Sequence, residues 1–72
     1  MGVMTDQEFQ FLAKGDEVQY ADLNTNMVPV LMRIMVKHWL SWGKPYYVGR
    51  YQREHSPYDI GLSDPDSVEV SS

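Results

Sequence analysis

The sequence predicts a mainly β domain with a short N-terminal helix, and three observations carry that expectation. Between residues 30 and 40 apolar side chains recur with period two, and Gly43-Lys44-Pro45 then leads into a second aromatic-rich extended pattern. At the start of the chain, Thr5-Asp6-Gln7-Glu8 fits a helix capping box. Finally, the chain has 72 residues. That leaves too little protein to surround a central helix that would be apolar over most of its circumference.

Each element follows from its residues. The Thr5 hydroxyl and the Glu8 carboxylate can satisfy free amides at a helix start. Phe9, Leu12 and Ala13 share one face, and Gly15 suits a C-terminal stop, so the helix is expected over residues 5–14. A helix that short is unstable alone, so Phe9 and Leu12 must dock on something. The β region is expected over residues 16–70. In Glu17 to Leu23 the apolar members are Val18, Tyr20 and Leu23, as a half-buried strand requires, and Asn24-Thr25-Asn26 is a loop by composition.

Residues 27–42 admit two readings. With period two, Val30, Met32, Ile34, Val36, His38 and Leu40 form one face that is apolar except at His38. As a helix, Arg33, Lys37 and Ser41 form a polar stripe, Asn26 caps it, and Gly43 with Pro45 stops it. The β-branched density and the alternation favour a strand; the alternative is an α+β domain with a helix at 27–42. Gly43-Lys44-Pro45 then reads as a hairpin connection and Tyr46 to Gln52 as the returning strand, with Gly49 marking a bulge or a close backbone approach. Arg53 to Pro57 reads as a polar loop and Tyr58 to Leu62 as an extended piece. Ser63 to Ser67 reads as a turn, and Val68-Glu69-Val70 as a last strand before a tail at Ser71-Ser72. The chain is therefore expected to form a single small domain over residues 1–72.

The formal charge is −4, and its distribution says more than its sum. Residues 1–29 carry −4, residues 30–58 carry +4, and residues 59–72 carry −4. Such an acidic total disfavours bulk attraction to nucleic acid, although a local basic stripe remains available. A simple expectation is that the acidic ends fold back on the basic middle. Cysteine is absent, so no disulfide or thiolate–metal site can support so small a core. Aromatic burial or association must do so instead. The longest apolar stretch, Met27 to Val36, is interrupted by Arg33 and is too short to span a bilayer. The expected location is the cytoplasm.

The order of elements resembles a small SH3-like barrel. The residues that carry the resemblance are the helix ending in Lys14-Gly15-Asp16-Glu17-Val18-Gln19-Tyr20, the Tyr47-Val48 strand and the closing Asp64-Pro65-Asp66-Ser67-Val68-Glu69-Val70. The resemblance implies a partly open barrel that binds protein, peptide or nucleic acid. Similar domains occur in phage and bacterial genomes as accessory proteins. No binding residue is carried over from them.

The residues give little support to catalysis or cofactor binding. Ser41-Trp42-Gly43-Lys44 matches a Ser-x-x-Lys pattern whose chemistry needs further motifs on a much larger scaffold. Glu54, His55 and Asp59 are a weak ligand set, since zinc wants three or four ligands at defined spacing and only His38 could join them. Asp64, Asp66 and Glu69 lack the spacing of a calcium loop. No phosphate-binding glycine loop occurs, so neither an enzyme nor a cofactor or metal is expected. The aromatic–basic middle remains. Arg33, Lys37, Trp39, Trp42, Lys44, Tyr47, Arg50, Tyr51 and Arg53 are the candidate contact residues. Trp, Tyr and Arg dominate protein-binding hot spots because they bury large areas while keeping a polar handle. The expected function is a non-catalytic protein-binding module that acts on a larger partner or self-associates as a homodimer. The alternative is a single-stranded nucleic-acid module, with Arg33, Lys37 and Arg50 on one face and Trp39, Trp42 or Tyr47 stacking on bases. Trp42, beside the turn at Gly43, is the best candidate for an exposed ring.

Overall fold

Thr5 caps the first element as its sequence demands. Its hydroxyl accepts from the Glu8 amide at 3.1 Å, and the Glu8 carboxylate accepts from the Thr5 amide at 2.9 Å. The computed structural model describes residues 4–70, so the Ser71-Ser72 tail lies outside the described residues. The helix, α1 (Asp6–Gln10), is half the expected length and ends at Phe11. Its basic residue Lys14 lies past the last turn, and Ala13 is instead drawn into a turn by the Asp16 carboxylate. Gly15, at φ +96°, is not the helix stop but the residue that aims the chain into the sheet.

Five antiparallel strands follow: β1 (Glu17–Tyr20), β2 (Val30–Trp39), β3 (Pro45–Arg53), β4 (Ser56–Leu62) and β5 (Val68–Val70). They form one open sheet in the order β4-β3-β2-β1-β5, with β5 returning beside β1 after a 3-10 turn at Pro65–Ser67. The protein is thus mainly β with a short N-terminal helix, as expected. Residues 27–42 are strand, not helix. The loop before β2 is more ordered than its composition promised, because Asp22 caps a 3-10 turn at Leu23–Thr25. The expected loop at Arg53–Pro57 is also a tight hairpin: Arg53 pairs with Ser56, with only Glu54 and His55 between them. Positive φ at Glu54 provides that reversal.

A single extra residue divides β2. Ile34 pairs with Gly49 and Val36 with Val48, so Met35 is a bulge without an opposite partner. Before it, Met32 and Ile34 point inward and are fully buried; after it, Val36 and His38 point outward. Gly49 lies opposite this bulge and also meets the close approach anticipated for it. A Cβ there would come within 2.3 Å of the Met32 sulfur.

The core lies on the inner face of the sheet. Val18, Tyr20, Met32, Ile34, Tyr47, Tyr51, Leu62 and Val68 form its floor, and Phe9, Leu12 and Met4 cover one end. Phe9 meets Tyr47 edge-on at 4.8 Å between ring centroids. This docking stabilises a helix too short to persist alone. At the other end Tyr20, Tyr51 and Tyr58 pack in a row at 5.6 Å spacing.

Candidate functional site

The bulge at Met35 decides where the basic residues go. Read with strict period two, Arg33 and Lys37 would share a face. They do not. Arg33 stays on the outer face, whereas Lys37 pairs across the sheet with Tyr47 and turns inward. Its ammonium donates to the carbonyls of Gln10 and Leu12, both at 2.7 Å, just where α1 leaves its carbonyls unpaired. A cation at a helix C-terminus is also favoured by the helix dipole. The same ammonium sits 5.0 Å from the Trp39 ring centre and 5.4 Å from that of Tyr47. Lys37 therefore fastens the helix to the sheet and orients Trp39.

Tyr47 and Tyr51 are core residues and offer no contact surface. The Tyr47 hydroxyl donates to the carbonyls of Phe9 and Leu12, the latter at 3.2 Å. Burial, with a further contribution from the Asp16 charge, pushes its pKa up to about 12. Burial and then the hydrogen bond to Asp22 push Tyr20 up to about 12 as well. Burial raises Tyr51 too, and its hydroxyl is buried without a hydrogen-bond partner among the described residues.

The remaining candidates separate into three places. Trp39, Trp42 and Lys44 gather at the tip of the β2–β3 hairpin. There the Leu40 amide donates to Lys44 at 2.7 Å, the Gly43 amide donates to Leu40 at 2.9 Å, and Gly43 adopts φ +82°. Trp39 is 60% exposed and Trp42 70% exposed. Trp42 is thus an exposed ring, as its place beside the turn implies. Lys44 borders a cleft of about 100 Å³ that Asp6 and Asp64 also line.

The second place is the outer face of the sheet. Glu17 pairs with Arg33, Arg33 with Arg50, and Arg50 with Asp59, so one row across four strands reads acid, base, base, acid. Arg50 donates to both Asp59 oxygens, at 2.6 and 3.0 Å. The pair holds the Asp59 carboxyl below its usual range and raises Arg50. Arg33 is less well served, with Glu17 at 3.7 Å, beyond hydrogen-bond distance. The acidic segments do meet the basic middle, but unevenly.

The third place is the β3–β4 hairpin, where Arg53 stacks on Tyr58 at 4.5 Å. Pro45 and Arg53 lie at opposite ends of β3, so the hairpin tip and Arg53 are separated by about 27 Å. One continuous aromatic–basic surface therefore does not exist. Sequence reasoning also passed over Phe11, which is 75% exposed just past α1. Its place one residue before Leu12, off the Phe9–Leu12 face, was the available signal.

Asp59 belongs to Arg50 on the outer face, which takes it away from the Glu54-His55 turn. Among the described residues, no group of three or more His, Asp or Glu is placed to hold a metal, and no helix is long and apolar enough to cross a membrane. No family model matches the chain, and no curated protein and no solved structure matches it either.

Proposed function

We propose that this chain is a non-catalytic protein-binding module, a small cytoplasmic accessory factor that acts on a larger partner through the tip of its β2–β3 hairpin. The observation that carries the reading is the exposure of Trp39 and Trp42, 60% and 70%, at the end of the longest strand. Two large rings held in water by a hydrogen-bonded hairpin are costly unless a partner covers them, and tryptophan is the residue most often found at binding hot spots. Trp39 is also preorganised, since Lys37 fixes its ring from the inner side, and this lowers the entropy lost on binding.

The perturbed titratable groups are accounted for by packing in Tyr20, Tyr47 and Tyr51 and by one surface ion pair, so none is set aside for acid–base work. The meander followed by a short strand beside β1 supports the resemblance to small SH3-like barrels and the phage or bacterial accessory role it implies.

The test is capture from native lysate by the wild-type protein and by a Trp39→Ala, Trp42→Ala variant whose circular dichroism matches wild type. A partner should be retained by the first and lost, by at least tenfold, by the second. An unchanged set of captured proteins would overturn this reading.

A further inference from the structure

We propose that the outer face of the sheet is a second contact surface, built to take an extended acidic segment of a protein whose carboxylate lies between Arg33 and Arg50. It rests on a different part of the molecule from the hairpin tip, so the two ideas stand or fall separately.

Arg33 and Arg50 are direct cross-strand neighbours. Like charges in that position destabilise a sheet, and nothing in the packing of this exposed face requires them. Asp59 satisfies Arg50 through two hydrogen bonds, while the Arg33 guanidinium makes no hydrogen bond among the described residues. A guanidinium with five donors and a second guanidinium beside it form a ready seat for one carboxylate. Beside that seat lies an open cleft of about 450 Å³, whose apolar wall is Leu31, Met35 and Pro57. Leu31 is 52% exposed. Leu31 precedes Arg33 by two positions, so an extended ligand with an acid and an aliphatic residue two apart would match both at once, about 7 Å apart.

The charge row also selects the occupant. It reads acid, base, base, acid, which is the same in both directions. A second copy stacked face to face, in register, by a two-fold axis would therefore set arginine on arginine and acid on acid. Nucleic acid meets a different obstacle, because Glu17 and Asp59 flank the arginines and would repel a phosphate chain running along the row. A single carboxylate between the arginines avoids both.

The experiment follows the side-chain Nε–H signals of Arg33 and Arg50 by NMR. The probe is an acetylated, amidated eight-residue peptide that carries Glu and Leu two residues apart on a serine background. Both signals should shift and saturate. Affinity should fall at least tenfold when Gln replaces Glu in the peptide, and again with Arg33→Gln. It should rise severalfold with Asp59→Asn, which releases Arg50, a response that a purely structural pair would not give. The proposal is overturned if neither arginine shifts, if the Gln peptide binds equally, or if Asp59→Asn weakens binding. Tighter binding of oligothymidylate would assign the face to nucleic acid instead, and signals that move on dilution alone would assign it to self-association.

Discussion

The two halves of β2 carry nearly the same sequence pattern and do opposite things. In Val30–Ile34 the even positions face the core and Arg33 faces water; beyond Met35 the odd-numbered Lys37 turns inward while Val36 and His38 face out. Only the unpaired Met35 separates them. The comparison teaches that in a strand the face a residue occupies depends on which residues before it are paired, so one unpaired residue turns inward a lysine that period-two counting leaves at the surface. It also dismantles what looks like a single basic stripe. Arg33 remains available for contact, and Lys37 becomes part of the fold.

Removing the bulge should break this comparison most severely. Inserting one alanine between Val48 and Gly49 would give Met35 a partner and turn Lys37 outward and His38 inward, or break the pairing with β3, and cooperative denaturant unfolding should be lost. A folded insertion variant with an unchanged midpoint would mean that the bulge does not set the faces.

The inward half can be sharpened at the residue that Lys37 pairs with. Tyr47→Phe removes the hydroxyl that the Phe9 and Leu12 carbonyls accept from, and should cost about 1–3 kcal/mol in equilibrium unfolding. Because the folded Tyr47 titrates near 12 and an ordinary tyrosine near 10.0, its neutral form stabilises the fold fully below pH 10. That contribution falls away as pH climbs toward 12. Tyr47→Phe should therefore show a shallower alkaline loss than wild type, with the remainder due to Tyr20 and Tyr51.

Lys37→Met keeps the aliphatic stem but removes the clamp on α1, and should cost about 1–2 kcal/mol while freeing the Trp39 ring. Trp39 fluorescence anisotropy should fall in parallel. Across the bulge, Val36→Thr should change stability by less than about 0.5 kcal/mol, because this side chain already faces water.

Much of the fold was legible because local chemistry and tertiary structure agree. The Thr5–Glu8 capping box, the alternation from Val30 to Ile34 and the Gly43 turn all depend on residues near one another in sequence. The helix was overestimated because Ala13 and Lys14 have good helix propensity, which the Asp16 turn overrides. The candidate site was legible by composition but not by place. Trp42 beside a glycine turn declares its exposure, whereas the inward turn of Lys37 depends on a bulge that period-two counting cannot see. The bond between Arg50 and Asp59 depends on the short β3–β4 hairpin, which the polar composition of Arg53–Pro57 disguised as a loop.

The inward placement of Lys37 is measured most directly by NMR of its side chain. Its ammonium lies 5.0 Å from the Trp39 ring centre and 5.4 Å from that of Tyr47, so the adjoining methylene protons should resonate well upfield of an ordinary lysine and show nuclear Overhauser contacts to both rings. Lysine methylene protons at their ordinary position, free of contact with either ring, would contradict the division of β2 at Met35.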